Sequence, residues 1–230
     1  MKKWILVALL PWVWLAGCHG GNKPHIEGKI IGLKKGTVYL KYYQRDSVWP
    51  LLDSVHIKGD PHFRFSLEGV EPRLMALEVK EKPGEYLLFF SDDTLMKVYT
   101  QLDKFGVAKR LEGGINLHYW QQYRDMLAQY NDHKLDWTKE RWEAVRQKDS
   151  VRLKDLDRQW ASLEKRRKLF AWQFSSTEPY IPVKAYVAYV ELRDNPRILD
   201  TIYRQWPSGL QESFYGRRIK AFLHTKTAGQ

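Results

Sequence analysis

Apolar residues recur at two different periods in this chain. The switch between them, near residue 112, constrains it to an α+β fold built in two parts. From Ile26 to about Leu111 the runs are short and alternate every second residue. Val38, Leu40 and Tyr42 alternate with Tyr39 and Lys41, Val55 and Ile57 flank His56, and Phe63, Phe65 and Leu67 alternate with Arg64 and Ser66. Lys58-Gly59-Asp60-Pro61, between the last two sets, reads as a hairpin turn. Ile26–Ile31, Leu74–Val79, Tyr86–Phe90, Leu95–Thr100 and Val107–Leu111 bring the total to about eight strands, separated in part by Lys82-Pro83-Gly84 and Ser91-Asp92-Asp93. That spacing predicts an antiparallel sandwich or barrel-like domain.

From Asn116 the period is helical. Leu117, Trp120, Tyr123, Leu127 and Tyr130 recur at three and four residues. After Asp136, Thr138 is placed to cap a longer helix running to about Phe174. Its stripe is Trp142, Val145, Leu153, Leu156, Trp160, Leu163, Phe170 and Phe174, close to a seven-residue repeat that Asp149 and Arg167 interrupt. Ser175-Ser176-Thr177-Glu178-Pro179 breaks it. Three shorter amphipathic segments follow, over 182–193, 196–206 and 208–223, with Asp194-Asn195-Pro196 and Trp206-Pro207-Ser208-Gly209 as turns or caps. The expected organisation is a leader over 1–17, a tether over 18–25, a β domain over 26–112, an all-helical domain over 113–224 and a tail over 225–230. Leu111-Glu112-Gly113-Gly114 has the composition of a hinge.

The leader is the most specific signal. Lys2 and Lys3 precede an apolar run from Trp4 to Leu15 that only Pro11 interrupts. A membrane span needs about 20 apolar residues, so this run fits a secretion signal. It ends in Leu15-Ala16-Gly17-Cys18, which resembles the lipobox of bacterial lipoproteins. Small residues at 16 and 17 let an extended backbone enter a peptidase groove, and the Cys18 thiol accepts the diacylglyceryl thioether. Processing would remove residues 1–17 and leave an acylated Cys18, and two or more acyl chains anchor stably. Cys18 is the single cysteine of the chain, so acylation would consume it and leave no thiol for redox catalysis.

Lys and Arg total 38 against 27 Asp and Glu, a net charge of +11. Loss of Lys2 and Lys3 leaves a basic mature protein, for which anionic lipid head groups or acidic envelope partners are expected rather than nucleic acid. The run from Lys139 to Lys168 holds 11 basic and 6 acidic residues. It could dock such partners, but a solvated helix face with mixed-sign pairs accounts for it better.

Candidate chemistry is sparse. His56 and His62 flank a turn without a supporting ligand cluster, and Asp92 and Asp93 lack the ligand ladder of a calcium loop. Glu68, Glu71, Glu78 and Glu81 could form a glycosidase pair only if folding brought two of them together. There is no nucleophile elbow, phosphate loop or dinucleotide fingerprint. No catalytic, cofactor-binding or metal-ligating residue is therefore expected, and the chain is not expected to be an enzyme. Trp120, Trp142, Trp160 and Trp172 fall on helix faces and read as core or interface, while Trp49, beside Pro50, reads as an exposed recognition residue or a loop residue packed on the sandwich.

Ile26-Glu27-Gly28-Lys29-Ile30, Gly36-Thr37-Val38-Tyr39-Leu40, Asp53-Ser54-Val55 and Phe63-Arg64-Phe65-Ser66-Leu67 follow one another in a pattern that resembles the N-terminal domain of unknown function of Bacteroidetes lipoproteins. In that family the domain often precedes a thioredoxin-like domain. Pro182-Val183-Lys184-Ala185-Tyr186, Leu199-Asp200-Thr201-Ile202-Tyr203 and Ser213-Phe214-Tyr215-Gly216-Arg217-Arg218 resemble its helical middle region. The resemblance implies a lipid-anchored envelope protein that acts as a binding or accessory module, and His19-Gly20-Gly21-Asn22-Lys23, without the acidic residues that tend to follow the acylated cysteine of surface-exported lipoproteins, points to the periplasm-facing side. The family's paired redox cysteines have no counterpart here. The alternative it implies is a truncated or split thiol-disulfide oxidoreductase, with a separate thioredoxin-like protein as partner.

Overall fold

The computed structural model describes residues 23–44 and 48–227. Alternation in the first part produces eight strands: β1 His25–Ile31, β2 Lys35–Tyr42, β3 Leu51–Lys58, β4 His62–Ser66, β5 Leu74–Val79, β6 Leu87–Phe90, β7 Leu95–Gln101 and β8 Arg110–Glu112. They form two four-stranded sheets, ordered β4-β1-β7-β8 and β3-β2-β5-β6. Ile26, Ile30, Phe63, Phe65, Met96 and Val98 of the first sheet share one core with Val38, Leu40, Leu74, Leu77 and Phe89 of the second. The α+β architecture expected from the switch in period is present.

Two strand-level expectations fail. The β1–β7 pair is parallel, with His25 opposite Leu95 and Ile31 opposite Gln101, while the other pairs are antiparallel. Residues 58–61 do not close a hairpin either: β3 pairs with β2, β4 pairs with β1, and the turn carries the chain from one sheet to the other. Gly59, at φ +91°, donates its amide to the Lys34 carbonyl at 2.7 Å, and the Pro61 carbonyl accepts from the Ile30 amide at 3.1 Å. The turn is thus tied to β1 and to the corner after it. Local sequence specifies a reversal, but the partner of each strand is set by the whole core.

Helices follow: α1 Ile115–Gln147, α2 Ser150–Ser176, α3 Pro182–Leu192, α4 Pro196–Gln205, α5 Ser208–Gln211 and α6 Phe214–Thr227. The expected cap at Thr138 is absent. Nothing between Ile115 and Gln147 is Gly or Pro, and the Thr138 hydroxyl donates back to the Lys134 carbonyl at 2.7 Å inside a continuous helix. The break comes at Lys148, in the left-handed region at φ 58°, and Asp149 caps α2 by accepting the Val151 and Arg152 amides at 3.1 and 2.9 Å. Asp149 interrupts the apolar stripe because it is the cap. The expected segment over 208–223 divides at Ser213, whose hydroxyl accepts from the Gly216 amide and donates to the Leu210 carbonyl.

Gly28 shows how closely the central strands approach. A Cβ there would lie 2.0 Å from the Val98 carbonyl oxygen and 2.7 Å from the Phe63 ring. Gly28→Ala is expected to lower stability by about 1–3 kcal/mol, as overpacking of a rigid core does. Urea unfolding checks this, and a midpoint equal to the parent's would show that β1 and β7 can part without cost.

Candidate functional site

The two parts meet at one end of the sandwich. Strand β8 ends at Glu112, opposite Lys97 of β7, and α1 starts three residues later. Asp92, in the turn between β6 and β7, is almost wholly buried, and its carboxylate holds that start. One oxygen accepts from the Asn116 amide and from Asn116 Nδ2, both at 3.1 Å, and the other accepts from the Leu117 amide at 3.0 Å. A carboxylate at a helix N-terminus meets free N–H groups and the positive end of the helix dipole. Asn116 Oδ1 then accepts from the Val183 amide at 3.1 Å, which fixes the first turn of α3 to the first turn of α1.

Asp92 was expected only as a turn residue between two strands. The clasp also works against hinge motion at Leu111-Glu112-Gly113-Gly114. A Cβ at Gly114 would lie 3.0 Å from the Asp92 carboxylate, so the smallest residue stands where the chain passes it.

Around the clasp the core is aromatic. Phe90 of β6 lies 6.0–6.4 Å, centroid to centroid, from Trp120, Tyr186 and Tyr215, which come from three different helices. The Leu74 amide donates to the Tyr215 hydroxyl oxygen at 3.2 Å. Arg217 pairs with Glu71, and the Arg73 guanidinium lies 3.9 Å from the centre of the Phe214 ring.

Farther along α1 and α2 lies a buried polar network. Arg167 makes a two-point pair with Glu191 of α3, Nε to Oε2 and Nη2 to Oε1, each at 2.8 Å. Tyr123 also donates to Glu191, and Tyr130 donates to Glu164. Burial works against the Arg167 charge, but the hydrogen bonds and charge of Glu191 outweigh it and raise its pKa. Burial, reinforced by the Glu191 charge, pushes the Tyr123 hydroxyl well above the usual range, and burial does the same to Tyr186 and Tyr215. Arg167 interrupts the apolar stripe because it reaches the buried carboxylate of Glu191. A cavity of about 180 Å³ adjoins this network, lined by Met126, Gln129, His133, Leu163, Arg166 and Phe170 together with Tyr130 and Arg167.

The other singled-out residues are dispersed. His56 Nδ1 is hydrogen-bonded with Thr37 Oγ1 at 2.9 Å, and His62 pairs with Asp60. Among the described residues no group of three or more His, Cys, Asp or Glu is placed to hold a metal ion. Glu68 pairs with Lys23, Glu71 with Arg217, and Glu78 with Lys41. Glu81 lies against Gly36.

Of the two readings of Trp49, the packed one holds: it stacks on Tyr86 at 5.5 Å and meets Tyr43 edge-on at 5.4 Å. Trp120 is core, Trp160 lies against Trp137, and Trp142 and Trp172 are exposed. Leu15, Ala16, Gly17 and Cys18 lie outside the described residues. No described helix is long and apolar enough to cross a membrane.

The two-sheet unit and its clasp coincide with a recognised sequence unit. Residues 25–117 match the model of a domain of unknown function, DUF4369. The DUF4369 segment takes in all eight strands and ends on Leu117, the second residue whose amide Asp92 holds. Comparison with curated proteins and with solved structures finds no match.

Removing the Asp92 carboxylate strands three buried donors. Asp92→Ala is expected to cost about 3 kcal/mol, whereas the exposed neighbour Asp93→Ala should stay within about 0.5 kcal/mol. Glu191→Gln leaves Arg167 without its charge partner and is expected to cost about 3 kcal/mol, the low end for a broken buried pair because the guanidinium is partly in water. Chemical unfolding of the three variants checks both statements.

The buried tyrosines fix an alkaline limit. Their folded pKa values lie above the ordinary 10.0, so the unfolded chain releases these protons first as pH rises. Their contribution is complete below pH 10 and falls above it. Lys184, whose pKa is lowered by burial, acts with the opposite sign but is one group against three. In a titration at 295 nm these three tyrosines should ionise together with loss of helix. Independent ionisation in the intact fold would contradict their burial.

Proposed function

We propose that the chain is a membrane-anchored bacterial envelope lipoprotein, held through acylated Cys18 after removal of residues 1–17, that serves as a non-catalytic binding or accessory module. The observation that carries this reading is the basic start, short apolar run and terminal Leu15-Ala16-Gly17-Cys18 standing directly before a folded domain. The structure adds geometry consistent with it. The Pro24 carbonyl accepts from the Leu67 amide at 2.9 Å, and Lys23 pairs with Glu68, so the chain is fixed from residue 23 onward. An extended tether from Cys18 to Lys23 spans at most about 18 Å. It leaves the sandwich at the end where His25 faces Leu95, which is the end that carries the helices. In residues 113–227 Lys and Arg number 21 against 14 Asp and Glu, so most of the positive charge lies in the helical part near that end. Anionic lipid head groups suit such a surface.

A second reading rests on the DUF4369 match and on the resemblance to regions that precede thioredoxin-like domains. In it, the module positions a separate thioredoxin-like protein for thiol-disulfide exchange. Affinity capture from envelope extracts distinguishes the two, since the second requires a Cys-x-x-Cys protein among the captured partners.

Metabolic labelling with a clickable fatty acid tests the anchor. The parent should take up label and sediment with membranes, and Cys18→Ala should lose the label. Equal labelling of both proteins would remove the lipoprotein reading.

A further inference from the structure

Beyond Tyr130 on α1 and Glu164 on α2, the hairpin leaves the core and continues as a two-helix arm. Among the described arm residues only Ala144 and Leu156 are fully buried, and the seam between the helices is filled by Trp137 and Trp160, 4.6 Å apart. The arm ends at the Lys148-Asp149 turn. Three apolar side chains bracket that turn without taking part in the seam: Trp142 is 64% exposed, Val145 51% and Val151 78%.

Basic groups stand among them. The Arg146 guanidinium lies 5.1 Å from the centre of the Trp142 ring, Lys148 is exposed in the turn and exposed Lys154 follows Val151, while Arg152 is paired with Glu140 and Asp155. Of the acidic residues nearby, Glu140 and Asp155 are engaged by Arg152 and Asp149 caps α2, which leaves Glu143 beside Arg146, Lys148 and Lys154.

We infer that this tip is a second membrane contact, seated in the head-group boundary of an anionic bilayer. The inference deepens the envelope reading above and rests on it for the surface the tip would meet. Shape separates a bilayer from a protein partner. The tip is the end of two helices, each about 10–12 Å across, and is convex. A stable protein interface buries about 800 Å² on each side, more than such a tip presents, whereas a bilayer receives a narrow wedge. Chemistry points the same way. An indole with a cation over its face, valines that insert and long basic side chains that reach back to phosphate are what the bilayer boundary accepts.

The experiment uses the full chain with Cys18→Ser, which removes the acylation site and leaves no other thiol. An environment-sensitive dye is placed through Trp142→Cys, Val151→Cys or, as reference on the β domain, exposed Lys104→Cys. Vesicles are zwitterionic or contain one-third anionic lipid, with and without a spin-labelled quencher in the acyl region. The tip dyes should shift to the blue and be quenched on anionic vesicles, the Lys104 position should not, and the double reversal Arg146→Glu/Lys148→Glu should weaken the tip signal about tenfold.

Two results overturn the inference. Protein that sediments with anionic vesicles while both tip dyes stay in water has another membrane contact, and the anchor reading then stands or falls on fatty-acid labelling alone. Concentration-dependent self-quenching of the tip dyes without lipid would show that a second copy covers the tip. Two dye positions keep the test decisive if one substitution perturbs the arm.

Discussion

The arrangement of this molecule depends on the buried carboxylate of Asp92. A carboxylate taken out of water must recover its hydration from donors, and three N–H groups at the start of α1 provide it. The helix gains as much as the acid does, because its first amides have no partners of their own. Asn116 passes the constraint on by donating to Asp92 and accepting from Val183. One side chain in a strand-to-strand turn therefore sets where α1 begins and where α3 packs. The aromatic core of Phe90, Trp120, Tyr186 and Tyr215 closes around that geometry, so a chain with two hydrophobic periods shares one continuous core.

The periods themselves were legible because each reflects a local repeat: side chains alternate along a strand and recur every three or four residues on a helix. Strand partners were not. The corner at Gly59-Asp60 looks locally like a hairpin, and only the competition among all eight strands for two sheets separates β3 from β4. Helix ends were legible where a cap or a proline writes them, as at Asn195-Pro196, whose side chain accepts from the Ile198 amide. They were misread at Thr138, where a good capping residue stands inside a stretch with nothing to stop a helix. The polar residues that break a pattern were informative in a way that only the fold reveals. Asp149 and Arg167 both interrupt the stripe; one is a cap and the other meets Glu191, 24 residues on. No spacing rule links Asp92 to Asn116 across the same separation, because the link exists only once the sheet has turned back.

Stability is distributed unevenly as a result. Near the sandwich, α1 and α2 are held by the clasp, the aromatic cluster and the Arg167–Glu191 pair. Past Tyr130 they are held by one narrow seam and by surface ion pairs such as Arg141–Asp157 and Arg152–Glu140, which are worth little in water. Isolated helices of this kind are marginal without tertiary packing, so the arm lies at the low end of the local opening free energies. A segment in that condition costs less to reorient or bend than any part of the core.

On the proposed anchored reading, that gradient would govern how the molecule meets a bilayer. With about 18 Å of extended tether, a lipid-held Cys18 would keep the junction end of the sandwich close to the bilayer. The rigid unit of sheets and helix bases would then fix the position of the arm's root, and the softer distal helices would absorb the mismatch between root and surface. Helix α1 alone is about 50 Å long, so modest tilts at its base move the Lys148-Asp149 turn through large distances. A rigid root, a compliant arm and a basic, apolar-tipped end form a mechanical series. The net positive charge concentrates in the helical part, whose root the clasp sets at the end of the sandwich that a lipid-held Cys18 would keep nearest the bilayer.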